Sequence, residues 1–129
     1  MRSAAEDAGA TIKIVALKIG GVTLKHGSKL KADGQLAGTP SVLFGAEALV
    51  LSDTGCAELL KDTAAVDFVR DAFGHLKAIG FSVAAHPLLD KAGVLPDSGV
   101  IALARNPADF IRMAAVRQWA REATLRTLA

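Results

Sequence analysis

The sequence predicts an α/β fold in which a mainly parallel sheet lies between two layers of helices. In the second half of the chain, apolar segments of strand length alternate with segments whose apolar residues recur every three or four positions. The strand segments are apolar throughout rather than at every second position, which is typical of parallel strands covered on both faces. The alternation of the two kinds of segment favours a sandwich of three layers.

The first half of the chain predicts a short helix followed by strands. Residues Arg2–Ala8 form the end of a helix, which stops at Gly9, a residue suited to a left-handed cap. The alternating, β-branched segment over 11–17 predicts a strand. Glycines punctuate residues 20–38, where the pattern predicts short extended pieces at Val22–Leu24 and Lys29–Lys31 and a turn at Asp33-Gly34.

The second half predicts three more strands and three helices. Apolar residues step by three or four over Ala64–Leu76, which predicts a helix. A long helix is expected from Pro107 onward, with proline in its first turn and Asp109 near its positive end. The other predicted elements are strands over 47–52, Ala78–Phe81 and 99–104 and a helix over Val83–Ala92.

The start of the chain does not match a complete sheet of this kind. A doubly wound sheet usually begins with a strand that becomes central, whereas this chain begins within what should be the following helix. We therefore expect the usual first strand to be missing. The strand over 11–17 would then pair with another neighbour or another copy of the protein, because unpaired buried strand edges promote association. A homo-oligomer is the expected state.

Length, charge and composition exclude several classes of protein. A chain of 129 residues is expected to form one domain over 1–129 with its own core. A formal net charge of +2, with cations dispersed among anions, argues against a nucleic-acid partner. No run approaches the roughly 18 apolar residues of a membrane span, and Glu6 and Asp7 interrupt any signal peptide. A single cysteine, Cys56, excludes an internal disulfide and fits the reducing cytoplasm.

Four arginines near the C-terminus recur at intervals of four or five residues. They are Arg112, Arg117, Arg121 and Arg126. The spacing follows one side of a helix, and no aromatic platform accompanies the arginines. It therefore predicts a solvated or docking face rather than a phosphate-binding stripe.

The segment Gly80-Phe81-Ser82-Val83-Ala84 comes within one residue of the G-x-S-x-G elbow that presents a hydrolase serine. Its final glycine is missing, and no histidine follows His86. His86 lies four residues after Ser82 on the same predicted helix and should point away from it, so a catalytic Ser82 lacks its base. The alternative is a serine that caps the helix beginning at Val83.

Three further patterns are weaker. Asp53-Thr54-Gly55 imitates the triplet of the dimeric aspartic proteases, but the helix-rich second half predicts a loop at a strand end instead. Cys56 follows a glycine at this strand-to-helix loop, a place where a thiol can be activated, although a lone cysteine is more often packing. His26, His75 and His86 have no paired spacing, so no metal site is expected.

Several phrases in order along the chain resemble the C-terminal domain of large-subunit catalases of the hydroperoxidase II type. They are "GTPSVLF", "AFGHLKAIG", "LLDKAGV" and the closing R-x-W-x-R-E pattern that starts at Arg117. The resemblance implies a flavodoxin-like three-layer sandwich related to the PfpI and class I glutamine amidotransferase superfamily. It also implies that a haem-binding catalase core, the expected partner, accompanies this domain in the parent protein.

The resemblance further implies a vestigial site. Active relatives in that superfamily carry a cysteine at the elbow, where this chain has Ser82, and the segment that would bring their glutamate is not in this chain. The resemblance implies that the haem site, including its tyrosine ligand, belongs to the catalase core. This chain has no tyrosine, and no cofactor is expected in it. We expect a non-catalytic domain with a structural, oligomer-stabilising or chaperone-like role. The alternative is a small PfpI-like hydrolase or glyoxalase that uses Ser82 or Cys56.

Overall fold

A computed structural model of the chain describes residues 6, 9–16, 22–23, 29–30, 32–39, 44–105 and 107–128. The chain divides into two compact units, residues 1–40 and residues 41–129. Each unit contains its own strands. Within the described residues, no helix combines the length and the apolar character needed to cross a membrane.

Two pairs of short strands form the first unit. They are β1 (Val15–Ala16), which pairs in parallel with β4 (Gly34–Gln35), and β2 (Val22–Thr23), which pairs antiparallel with β3 (Lys29–Leu30). The pairing of β2 with β3 confirms the two extended pieces predicted in the glycine-rich region. The predicted strand over 11–17 is shorter in the structure, where β1 holds two residues, and Leu17 lies outside the described residues.

Asp33 holds the β1–β4 pair together. Its Oδ2 accepts a hydrogen bond from the Ile14 N–H at 2.7 Å, and its own N–H donates to the Ile14 carbonyl at 2.6 Å. Gly34, predicted as part of a turn, belongs to β4 instead, and its N–H also lies 3.2 Å from the Ile14 carbonyl. The predicted turn is therefore the start of a strand, because the Asp33 side chain draws this segment against β1.

Gly9 ends a helical turn in the way its position predicts. Its φ is +86°, in the left-handed region, and its N–H donates to the Glu6 carbonyl at 2.9 Å. Glu6 is helical, whereas the rest of the predicted helix over Arg2–Ala8 lies outside the described residues. Among the described residues no strand precedes β1, in agreement with the expected lack of the usual first strand.

A three-stranded parallel sheet forms the centre of the second unit, with its strands in the order β5-β6-β7. These strands are β5 (Ala46–Leu49), β6 (Ala78–Phe81) and β7 (Val100–Ala102). The helices are α1 (Asp53–Leu59), α2 (Thr63–Gly74), α3 (His86–Ala92), α4 (Pro107–Ala114) and α5 (Glu122–Leu128). Two 3₁₀ turns, Val83–Ala85 and Trp119–Arg121, precede α3 and α5.

Helices cover both faces of this sheet. On one face, Leu49 and Ile79 are buried in a core with residues of α1, α2 and α3. On the other face, Ala78 and Ile101 pack with Phe110 of α4. Strands buried on both sides explain the continuous apolar runs in the sequence. The predicted α/β fold is thus confirmed, and the layers are consistent with a flavodoxin-like sandwich.

The long helix predicted from Pro107 is wrong, because α4 ends at Ala114. The buried side chain of Gln118 gives the reason. Its Nε2 donates to the carbonyls of Met113 and Val116 at 3.1 and 3.0 Å. These bonds satisfy carbonyls that a continuing helix would have paired with its own N–H groups. The backbone N–H of Gln118 donates to the Leu76 carbonyl at 2.8 Å, which directs the chain toward the end of α2.

Replacing Gly80 by alanine should lower the free energy of unfolding by about 1–3 kcal/mol, because overpacking forces neighbouring side chains to move. A Cβ at Gly80 would lie 2.5 Å from Leu103 Cδ2 and 2.9 Å from Phe110 Cδ1. Gly74→Ala is the matched control, since a Cβ at Gly74 meets nothing within 4 Å. Urea unfolding of both variants measures the difference. Equal stabilities would contradict the close approach of Leu103 and Phe110 to β6.

Candidate functional site

Ser82 lies where β6 leaves the sheet, and its hydroxyl is bound on both sides by the backbone of one residue. Its Oγ accepts a hydrogen bond from the Leu51 N–H at 3.0 Å and donates to the Leu51 carbonyl at 3.0 Å. The Ser82 N–H also donates to the Leu49 carbonyl at 2.8 Å. Ser82 therefore ties the end of β6 to the segment that follows β5.

Ser82 occupies the predicted cap position before Val83, the first residue of the 3₁₀ turn Val83–Ala85, but its side chain does not make the expected capping bond. Its backbone carbonyl accepts the Ala85 N–H at 2.9 Å instead. The predicted helix over Val83–Ala92 begins with this tight turn, and the α-helix proper, α3, starts at His86. The hydroxyl bonds instead to the N–H and the carbonyl of Leu51, which lies just beyond β5.

His86 is not placed to activate Ser82. Its Nδ1 lies 3.3 Å from Asp90 Oδ2, one helical turn further on, and both side chains are exposed. Its ring meets Phe81 edge-on, with 5.9 Å between the ring centroids. The Ser82 hydroxyl and the His86 imidazole therefore have separate partners. A nucleophilic serine needs a base within hydrogen-bond reach, and this pair does not supply it.

Asp53 and Cys56 belong to α1, an element that the sequence patterns did not predict. Asp53-Thr54-Gly55 forms the first turn of this helix, with Ser52 Oγ accepting the Gly55 N–H at 3.0 Å, so the predicted loop is wrong. Asp53 is exposed. Cys56 is 2% exposed and packs in the core beneath α2 and α3. A reagent would need local opening to reach this thiol.

The carboxyl ends of β5 and β6 present apolar side chains to solvent. Val50 is 68% exposed and Val83 is 78% exposed, on either side of the tied hydroxyl of Ser82. Within the described part of the chain, no three His, Cys, Asp or Glu side chains are grouped to hold a metal ion. His75 is exposed, and His26 lies outside the described residues. The end of the sheet where such folds usually carry chemistry thus holds the bound hydroxyl of Ser82, the two exposed valines and the exposed residues Ser52 and Asp53.

Arg121 is buried, which overturns its predicted place on a solvated face. Its side chain is 1% exposed, whereas Arg112 and Arg117 are exposed. Arg112 lies 2.7 Å from Asp109 on the same helix. The side chain of Arg126 lies outside what the structure describes. Arg121 therefore does not share an exposed face with Arg112 and Arg117.

The guanidinium of Arg121 binds three separate segments. Nε and Nη2 donate to the two carboxylate oxygens of Asp97 at 2.6 and 3.1 Å. Nη1 donates to the carbonyls of Phe73 and Lys77 at 3.1 and 2.8 Å, and the guanidinium carbon lies 4.3 Å from the centroid of the Phe73 ring. Asp97 also accepts the Gly99 N–H at 2.8 Å. This network joins the end of α2, the loop before β7 and the turn before α5.

Two cavities of about 340 Å³ lie on either side of Asp97 and Ser98. One is bounded by Arg112 and Met113 of α4, and the other by the segment Arg117–Arg121 and Thr124. Trp119 borders the second cavity and is 64% exposed. These volumes are at the low end of the range for small-molecule sites. The second cavity is thus an open cleft beside an exposed indole.

Glu47 is a functional candidate that the sequence patterns missed. It lies in β5 and is 8% exposed, and neither of its carboxylate oxygens has a hydrogen-bond partner. Burial, followed by the negative charge of Asp71, raises the pKa of Glu47 well above its ordinary value of 4.5. The sequence signal for this site is an acidic residue at the start of the apolar run over 47–52. That position alone does not tell a buried strand residue from an exposed residue at the strand end.

The sheet and its crevice define an α/β domain of the kind whose sites lie beyond the carboxyl ends of parallel strands. No protein-family model matches the chain. The chain is 39% identical over 129 residues to Catalase C of Rhizobium meliloti, an alignment that covers 96% of this chain and 18% of that protein. It is 37% identical over 91 residues to Catalase HPII of Mycobacterium avium, covering 69% of this chain and 13% of that protein.

A further relative is Catalase HPII of Pseudomonas aeruginosa, 27% identical over 132 residues, which cover 99% of this chain and 19% of that protein. The chain is therefore homologous to one segment of the large-subunit catalases, and the resemblance found in its sequence phrases is confirmed. It spans less than a fifth of the length of these relatives. The relationship to the PfpI superfamily stays a prediction.

Ser82→Ala should lower the free energy of unfolding by about 1–3 kcal/mol, because both the N–H and the carbonyl of Leu51 lose their partner in a half-buried place. Ser98→Ala is the control, since Ser98 is exposed and its change should stay within about 0.5 kcal/mol. Chemical denaturation compares the two. A Ser82→Ala protein as stable as the control would contradict the tie between β6 and Leu51.

Arg121→Met should lower the free energy of unfolding by about 3 kcal/mol or more, because Asp97 and two backbone carbonyls lose a buried donor. Arg121→Lys should recover little, since an ammonium cannot reproduce the paired contact with Asp97. Arg117→Met, at an exposed arginine, should change stability by at most about 0.5 kcal/mol. Thermal and urea unfolding give the values, and equal effects at both arginines would refute the network's role.

Proposed function

We propose that this chain is a non-catalytic C-terminal domain of a large-subunit catalase and that it stabilises the assembled enzyme. The observation that carries the proposal is the Ser82 hydroxyl, which is bound through both its proton and its oxygen to the backbone of Leu51. At the place where an elbow enzyme needs a free nucleophile, this hydroxyl is a structural link. His86, the nearest candidate base in sequence, is paired with Asp90.

The peroxide chemistry of the parent protein belongs to the haem core in this proposal. The described residues near the two cavities supply few groups that could hold a haem iron. The chain contains no tyrosine, and the two cavities near Asp97 are lined without histidine or cysteine. Its one cysteine is buried in the core of the second unit. No step of peroxide dismutation is therefore assigned to residues of this chain.

The exposed apolar side chains of the second unit support contacts with the catalase core or with other copies. Trp119 is 64% exposed, Val116 58% and Leu95 43%. An exposed tryptophan is unusual on a monomer and is enriched at the centres of protein interfaces. The exposed arginines Arg112 and Arg117 belong to the same C-terminal part of the unit. This combination is typical of a surface that docks against protein.

The role is tested by grafting this chain onto a catalase. Catalase C of Rhizobium meliloti is prepared intact, without the segment homologous to this chain, and with this chain in that place. We expect the truncated enzyme to lose oligomer mass or heat resistance and the graft to restore it. The graft carrying Trp119→Ala is compared with one carrying Glu58→Ala, at an exposed residue of α1 that lines neither cavity, and a loss confined to the tryptophan variant would identify the docking surface.

The same chain expressed alone separates the structural role from the alternative enzyme. It is assayed for esterase, glyoxalase and peroxide turnover, for suppression of the aggregation of a heated client, and for mass by light scattering. We expect self-association or client protection without turnover. A graft that restores nothing would overturn the structural role. Turnover that is lost in Ser82→Ala or Cys56→Ala would instead establish the small PfpI-like enzyme.

A further inference from the structure

Glu47 is the one buried carboxyl group in the described sheet that lacks any partner. It faces Ile79 of β6 in the strand register, and both of its carboxylate oxygens are without hydrogen bonds. Its neighbours in β5 are Ala46 and Ala48, which carry no polar group. A carboxylate in such a place costs far more free energy than a neutral carboxylic acid. Burial without a partner therefore favours the neutral form of the Glu47 side chain in the folded chain.

The position of Glu47 under α2 follows from the alternation of β5. Leu49, two residues along the strand and on the same face, packs into the core with Val69 of α2. Just before β5, the Phe44 ring lies 6.3 Å from the ring of Phe68 on α2. Both contacts place the carboxyl-bearing face of β5 beneath this helix.

The charged and titratable groups that face Glu47 offer it no cation. Asp71 of α2 adds a second negative charge, which disfavours ionisation of Glu47. From β6 the facing residue is the apolar Ile79, and the side chain that α1 contributes to the same core is that of Cys56, which carries no positive charge. An ionised Glu47 would thus be repelled by α2 and held by nothing.

We propose that Glu47 is a proton-dependent latch: in its neutral form it allows β5 to pack under α2, and its ionisation loosens that packing. The latch closes at low pH and opens at high pH. Because burial and Asp71 raise the pKa of Glu47 in the folded chain, the stability it contributes is present below pH 4.5 and is lost as the pH rises toward the folded pKa. Between pH 4.5 and the folded pKa of Glu47, the coupling of folding to this one proton lowers the folding equilibrium constant by up to about tenfold for each pH unit.

The test compares the pH dependence of unfolding for the full chain and for three variants between pH 5 and pH 8. Glu47→Gln keeps the shape of the side chain but cannot ionise. As the pH rises, wild type should become less stable relative to this variant. Its unfolding equilibrium constant should increase by up to about tenfold for each pH unit. Asp71→Asn should shift the wild-type curve toward lower pH. Glu58→Gln, at an exposed glutamate of α1, should follow wild type at every pH.

A readout on the wild-type protein keeps the test independent of whether Glu47→Gln folds. The carboxyl carbon of Glu47 is followed by NMR through the same pH range, and hydrogen exchange of the β5 amides is compared after correction for intrinsic rates. The expected results are a carboxyl that titrates well above 4.5 and a β5 that opens more readily than β7 as the group ionises. A Glu47 carboxyl that titrates near 4.5 would overturn the latch. So would a ratio of the unfolding equilibrium constants of wild type and Glu47→Gln that stays constant at all pH values.

Discussion

The second unit depends on the buried guanidinium of Arg121. Its hydrogen bonds reach Asp97, Phe73 and Lys77, positions separated from it by 24 to 48 residues. A buried charge is tolerated only when nearly all of its donors are satisfied, so these segments can meet in few other arrangements. The network fixes the turn Trp119–Arg121 against the end of α2, and Trp119 in the same turn lies exposed beside the cavity near Ser98.

At the carboxyl end of the sheet, the side-chain hydrogen bonds of Ser82 hold the end of β6 to the segment that follows β5. Ser82 lies where β6 ends and the chain turns toward α3, and its hydroxyl is hydrogen-bonded to Leu51. A group that is both donor and acceptor to backbone stabilises the turn and is a poor nucleophile at the same time. The proposed structural role rests on this bound hydroxyl together with the homology of the chain to one segment of the large-subunit catalases.

Sequence patterns predicted the elements whose residues carry a local period. The strand Ala78–Phe81 has the predicted bounds, and α2 lies within two residues of its predicted limits. Helix α1 was missed because its first turn, Asp53-Thr54-Gly55, is polar and small and gives no apolar period. The break after Ala114 was missed because its cause is a buried glutamine side chain that bonds backbone carbonyls.

The sequence by itself determined the α/β class, the kinship with catalases and the weakness of any catalytic triad around Ser82. These conclusions depend on composition, short-range spacing and quoted phrases, all of which are local. Only the tertiary structure decided that Arg121 is buried, that Ser82 binds Leu51 and that Glu47 has no partner. Each of these facts depends on groups far away in the chain, because desolvation and hydrogen-bond partners are set when distant segments pack together.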